Sequence, residues 1–178
     1  MVWTAPITAV TGSVFPSATY NQVVRDNLLQ TMPALTTTLG SFFATSNTNQ
    51  IAERVPNAQY IGGLSNTTST TYTDLASGVV GPLVSCQTGT VAAVFIYNNS
   101  YTSAGGTGSW MSFDISGATT QASSDNFALQ LQLASGQHCG ACFLIDNLVP
   151  GLNTFTAKFR TSSGTSYFSS RRLAVWPF

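Results

Sequence analysis

Asn153-Thr154-Phe155-Thr156-Ala157-Lys158-Phe159-Arg160-Thr161 decides the fold. Phe155, Ala157 and Phe159 alternate with Thr154, Thr156, Lys158 and Arg160, a period of two that marks a strand buried on one face. Phe127, Leu129, Leu131 and Leu133 alternate in the same way with Ala128, Gln130, Gln132 and Ala134. Outward from these two stretches, strand-like runs recur every ~8–12 residues, at 70–75, 79–86, 90–97, 109–115, 127–133, 141–147, 153–161 and 167–176. Gly-rich turns separate them. The pattern predicts a mainly β chain whose 67–178 segment is a jelly-roll-like antiparallel β-sandwich. Pro177 at the end of the last run predicts an edge strand.

The chain has 178 residues, 43% hydrophobic and only 7% charged, against ~25% charged in typical domains. Its surface must therefore be Ser, Thr, Asn, Gln and Gly, or be covered by partners. A mean hydropathy of +0.16 with so few charges favours a subunit of an assembly over a free enzyme. Six basic and six acidic residues cancel, which leaves no electrostatic footprint for nucleic acid. No apolar run approaches the ~20 residues that span a bilayer, and no secretory leader pattern opens the sequence. Three cysteines do not make a disulfide framework and fit a reducing compartment.

Upstream, residues 1–32 read as an anchoring arm and a short helix. Pro6 and Pro16 hold their preceding residues extended, and Gly12 allows a turn. Thr19 is placed as an N-cap, with Gln22 three residues on to complete a capping box. Tyr20, Val24 and Leu28 share one helical face, and Pro33 stops the helix near Met32. Arg25 and Asp26 are adjacent, so they are expected to point apart, each toward a partner subunit or toward solvent. Residues 33–66 read as an extended connector. Thr36-Thr37-Thr38, Gly40, Pro56-Asn57 and Gly62-Gly63 are turn formers, but Phe42-Phe43 and Tyr60-Ile61 make it too apolar for a solvated linker.

Trp3-Thr4-Ala5-Pro6, the Thr11-Gly12 turn, and Asn21-x-x-x-Arg25-Asp26-Asn27-Leu28, followed by Met32-Pro33-Ala34-Leu35, together resemble the N-terminal part of small structural proteins of tailed bacteriophages, usually described as minor tail, head-fibre or capsid-decoration proteins. The resemblance covers about the first third of the chain. Beyond it only the style matches, a Thr/Ser-rich β domain ending in Arg-x-x-x-Val-Trp-Pro. The resemblance implies a non-enzymatic virion protein assembled in the host cytoplasm. Its partner would be the major capsid protein or a tail protein of the same phage, and its own state a homo-oligomer, a trimer first. Attachment would use Trp3, Val10, Phe15, Tyr20, Val24, Arg25, Asp26 and Leu28. Capsid decoration is the first expectation, because a small compact domain suits a repeated surface accessory. A minor tail or tail-fibre protein with a carbohydrate-binding β domain is the second.

Chemistry-bearing residues are sparse, and no cofactor is expected. His138-Cys139-Gly140-Ala141-Cys142 is the one segment with metal-ligand chemistry, and Cys86 is the available fourth ligand. A structural zinc site wants a second close pair, so the favoured reading is a strand-linking turn with small buried thiols. Asp114 and Asp125 are candidates for a carboxylate pair across strands, as a glycosidase needs, or for ordinary turn solvation. The 97–110 segment reads as a long polar loop. Its Tyr97, Tyr101 and Trp110 make either a stacking surface for host glycan or caps on the sandwich.

Overall fold

The computed structural model describes residues 8, 11–12, 14, 16–28, 36–47, 50–76, 79–103, 107–132 and 134–178. The chain divides into two units, Met1–Val55 and Pro56–Phe178. Trp3, Val10, Phe15 and the expected helix stop at Met32-Pro33 lie outside the described residues.

In the first unit, Gly12 takes φ +80, as the expected turn requires. The helix begins earlier than Thr19. It runs as α1 (Ser17–Tyr20) straight into a π-helical stretch, Asn21–Asp26. Pro16 is the capping residue, and its carbonyl accepts from the Tyr20 N–H at 3.0 Å. Thr19 therefore sits inside the helix, where its hydroxyl cannot reach the free first-turn amides, and the capping box does not form. Tyr20 and Leu28 of the expected stripe are 51% and 59% exposed. Arg25 and Asp26 do not point apart either. They form an ion pair at 2.8 Å between exposed side chains, an arrangement of small energetic weight.

The expected extended connector is folded in both its halves. Phe42–Asn47 (β1) pairs antiparallel with Gln50–Arg54 (β2). Glu53 of β2 ties down the segment before β1. Its carboxylate accepts from Ser41 Oγ at 2.6 Å, Thr37 N at 2.9 Å, Thr38 N at 2.8 Å and the Thr37 hydroxyl. These donors, Ser41 first, lower the Glu53 pKa from 4.5 to about 2. A depressed carboxylate stabilises fully above its unfolded pKa and loses that contribution as pH falls toward its folded one. An NMR titration of the Glu53 carboxyl should accordingly show a midpoint near 2, with 36–41 loosening across the window from 4.5 down to 2. A midpoint at the ordinary 4.5 overturns this clamp.

The second half of the supposed connector belongs to the sandwich, which starts before residue 67. Asn57–Ile61 (β3) and Ser65–Thr67 (β4) both pair with Ser166–Pro177 (β11). The remaining strands are Leu83–Thr88 (β5), Ala92–Thr102 (β6), Ser109–Gly117 (β7), Leu129–Leu131 (β8), Gln137–Ile145 (β9) and Gly151–Thr161 (β10). One sheet has the order β3-β11-β6-β9, with β4 beside β3 along β11; the other has the order β5-β10-β7-β8. Every pairing is antiparallel, and from β9 onward each strand crosses to the opposite sheet. This is a jelly-roll arrangement, as the alternating runs predict.

Phe155, Ala157 and Phe159 are fully buried, each at 0% exposure. They meet Val94, Ile96, Phe113 and Leu173 in one core. Phe113 is central, with ring centroids of Phe127, Phe143 and Phe155 at 6.2, 6.3 and 6.1 Å. Toward one end the interior turns polar, and Ser100, Thr102, Ser109, Thr161 and Ser166 are all buried. They are joined by hydroxyl contacts such as Ser166 Oγ to Thr161 Oγ1 at 2.9 Å and Ser100 Oγ to Ser109 Oγ at 3.1 Å. Gly117 takes φ +105, and a Cβ there would run into the Leu152 carbonyl, so the end of β7 needs glycine.

Three strand expectations are corrected. The 70–75 run makes single bridges, Thr73 to Phe159 and Leu75 to Val79, rather than a ladder. Local bonds compete there, such as Ser69 Oγ to the Thr71 carbonyl at 2.7 Å. Pro177 is not on an edge strand. It closes β11, which lies between β3 and β6, and the β3 ladder stops at Val175, so its missing N–H breaks no bond on that side. His138–Cys142 is not a turn but the middle of β9, paired to β6 from Ser100↔Gln137 to Ala92↔Ile145.

Candidate functional site

The two outer faces of the sandwich differ in kind. Along β10, Lys158 and Arg160 point away from the core of the β5-β10-β7-β8 sheet, and each finds a carboxylate. Lys158 Nζ lies 2.8 Å from Asp74 and 3.9 Å from Asp114. Arg160 holds Asp125 with two bonds, Nε to Oδ1 at 3.0 Å and Nη2 to Oδ2 at 2.6 Å. The Tyr72 hydroxyl donates to the same carboxylate at 2.8 Å. Arg160, then Tyr72, hold the Asp125 pKa below its ordinary value, and burial pushes the Tyr72 phenol up. The guanidinium of Arg160 also lies 3.8 Å from the centre of the Trp110 ring, which is 8% exposed. Beyond it, Ser112 Oγ donates to the Phe127 carbonyl at 2.9 Å, and the Ser123 N–H donates to Asp114 at 2.7 Å. The chain thus covers this face with its own 118–128 segment, and Asp114 and Asp125 are consumed in separate contacts rather than facing one cleft.

The outer face of the β3–β4–β11–β6–β9 sheet is open. Antiparallel partners share a face, so the register gives its rows directly. Trp176, Ala93 and Leu144 form one row, and Ala58, Ala174, Phe95 and Cys142 the next. Tyr60, Arg172, Tyr97 and Gly140 follow, then Ser169, Asn99 and His138, then Asn66, Tyr167 and Tyr101. Leu144, Tyr60 and Trp176 are 67%, 54% and 43% exposed. These rows contain no carboxylate, and Arg172 is their only constant charge. It lies over the Tyr60 ring at 5.3 Å. Tyr97 stacks on His138 and bonds its Nδ1 at 2.7 Å, and Tyr101 stacks on Tyr167 at 4.7 Å. The stacks hold the aromatic rings in fixed positions on the sheet.

The expected glycan loop is therefore taken apart. Most of 97–110 is strand, and its three aromatics do not share a surface. Tyr97 and Tyr101 lie on the open face, while Trp110 opens β7 in the opposite sheet, under Arg160. The metal segment separates too. Cys139 packs against the core, whereas His138 and Cys142 lie on the other side of β9 and are exposed. Two thiols three residues apart on a strand point to opposite faces and cannot chelate one ion. Cys142 is not the buried thiol expected, whereas Cys86 is buried. Among the described residues, no cluster of three or more His, Cys, Asp or Glu is placed to hold a metal. Phe95, Leu144, Arg172 and Trp176 are surface residues that the sequence reading did not single out, and Tyr60 was read only as part of an apolar patch in the connector. Their signal was the alternation Arg172, Ala174, Trp176 against Leu173 and Val175.

No protein family model and no curated protein matches the chain. Among solved structures, it is similar to the Eiger TNF of S. frugiperda at 12% identity and TM-score 0.49, over 70% of this chain and 92% of that one. It is also similar to the VP2 subviral particle protein of infectious bursal disease virus at 16% identity and TM-score 0.45. That match covers 74% of this chain and 36% of the VP2 chain. A family two carbohydrate esterase from Cellvibrio japonicus aligns at 14% identity and TM-score 0.26, over 70% of this chain and 35% of that one.

Proposed function

We propose that this chain is a non-enzymatic structural protein of a bacteriophage virion. In this reading it is a capsid-decoration or head-fibre subunit, attached through its N-terminal segment and trimerised through the open face of the β3–β4–β11–β6–β9 sheet. The open face is the observation that carries the proposal. At ~4.8 Å between strands and ~3.3 Å per residue it spans roughly 600–800 Å². A specific interface takes about 800 Å² per partner, so the whole face, apolar around Leu144, Phe95 and Trp176 and polar around Ser169, Asn99 and His138, is of the size that one partner buries. The rows carry a single constant charge, Arg172, which is seated over the Tyr60 ring, and this favours a largely uncharged partner surface, such as a chain with 7% charged residues would itself offer. The ordered N-terminal pattern supports the phage assignment. The engagement of Asp74, Asp114 and Asp125 in ion pairs supports a structural over a hydrolytic role.

Deleting residues 1–16 is expected to leave a folded sandwich that no longer loads onto particles. Full occupancy of the truncated protein, measured by mass spectrometry of purified particles, would refute attachment through this segment. A tail protein that binds host glycan is the second reading, favoured by the exposed rings of Tyr60 and Trp176. Locating the chain's density on head or tail by imaging intact particles separates the two.

A further inference from the structure

The edges of the sandwich are not alike. β3 and β5 edge the two sheets on one side, and side chains bridge them. Asn57 Nδ2 donates to the Ser85 carbonyl at 3.1 Å, and Gln59 Oε1 accepts from the Leu83 N–H. β4 and β8 have three residues each, too short to template a long pairing. β9 has nine, Gln137–Ile145, and its ladder to β6 runs without a bulge from Ser100↔Gln137 to Ala92↔Ile145. In an antiparallel ladder every second residue turns its N–H and C=O away from the partner strand. Among the described residues, no strand lies on that side of β9 and no backbone bond reaches it.

Exposed edges are ordinarily guarded by Lys or another charge, by Pro, by a bulge or by shortness. β9 uses none of these, since 137–145 contains no Pro, Lys, Arg, Asp or Glu. Its core-facing side is also unfinished. The inward residues of β6, from Ala92 to Thr102, are all buried. Cys139, Ala141 and Phe143 of β9 pack against the same core but are only half-buried. Unpaired backbone and half-covered apolar side chains thus coincide along one strand.

We propose that β9 pairs antiparallel with β9 of a second copy of this chain, about a two-fold axis at Ala141. That register is the one that matches all nine positions. Opposed residues share a face, so it sets Cys139 against Phe143, and Ala141 against itself, on the core side. On the open face it sets His138 against Leu144. Gly140, Ala141 and Cys142 are small, which lets the two backbones meet at the axis, and no charge opposes its own copy there. The half-buried inward row of each copy then continues into that of the other. A two-fold contact of this kind is the commonest form of self-association. At ~3.3 Å per residue the edge is about 30 Å long, too narrow for the ~800 Å² per partner of a free-standing interface. It is therefore a weak contact, read by trapping. It goes beyond the open-face trimer without requiring it, because pairing in the plane of the sheet leaves that face free.

The test is oxidative cross-linking of the full chain carrying Cys139→Ser, Cys142→Ser and Ala141→Cys, in which the remaining native thiol, Cys86, is buried. Copper-phenanthroline should join the two 141 positions in a disulfide at least ~10-fold faster than it joins a matched chain with Leu152→Cys in place of Ala141→Cys, at an exposed site on β10. Position 141 faces the core side of β9, so contact through the open face cannot bring two such thiols together. A cross-linked dimer therefore supports edge pairing whether or not the trimer exists, and equal rates overturn it. If the triple variant fails to fold, hydrogen exchange of the Trp176→Glu chain decides, since that substitution weakens the open-face contact and lies outside β9. Its outward-turned amides in 137–145 should slow as concentration rises. Exchange independent of concentration refutes edge pairing, and a wild-type trimer seen alongside that result leaves the open-face reading standing alone.

Discussion

Phe113→Ala is expected to remove about 3–5 kcal/mol from the sandwich, the range for deleting a buried aromatic ring. Phe113 is fully buried in β7, and three further phenylalanine rings surround it. Those rings come from both sheets: Phe155 from β10, Phe127 from the turn before β8, and Phe143 from β9 of the opposite sheet. The cavity would lie where the two layers meet, and neither can collapse into it without shifting its own ladder. Domains of this size are stable by only ~5–15 kcal/mol, so the variant should unfold at a much lower urea concentration with an unchanged m-value. A loss below about 1 kcal/mol would mean that Phe113 is not the centre of the core.

Charging the open face should have the second large effect. Leu144 and Trp176 both stand opposite Ala93 and are exposed. Leu144→Glu combined with Trp176→Glu is expected to weaken self-association by about 10³–10⁶-fold, since buried apolar anchors carry ~2–4 kcal/mol each and a desolvated charge adds to the loss. Circular dichroism should be unchanged, because neither side chain enters the core. Asp125→Asn on the other outer face is the control and should leave assembly intact. Sedimentation equilibrium reads the result. A wild-type chain that is monomeric at all concentrations, or a double variant that associates as tightly, would remove this face from consideration.

The sequence was legible wherever inward positions were apolar. Phe155, Ala157 and Phe159 announced β10 because their neighbours on the strand are Thr, Lys and Arg. The same logic failed in β6, whose inward residues past Ile96 are Asn98, Ser100 and Thr102. A polar residue facing a hydroxyl-lined interior looks like a loop residue, so the second half of the strand read as part of a long loop. β9 was masked in a similar way, because Gly140 and two cysteines looked like a turn. β3 and β4 were missed because their inward residues Asn57, Gln59, Ser65 and Thr67 are polar, and only pairing with β11 makes them strands. The open face was hidden for a different reason. Its residues come from four separate stretches, and no single window of sequence brings Trp176 beside Ala93 and Leu144.

β11 lies between β3 and β6, yet every other strand precedes it in the chain. As the polypeptide leaves the ribosome, β3 and β4 therefore emerge well over ninety positions before the segment that bonds them. Until then β6 has β9 on one flank only. The nascent sandwich must wait as a half-built layer with bare backbone edges, and such edges invite pairing with neighbouring copies. Closure is then a single late event governed by long-range contacts, so maturation should be slow and sensitive to crowding on the polysome.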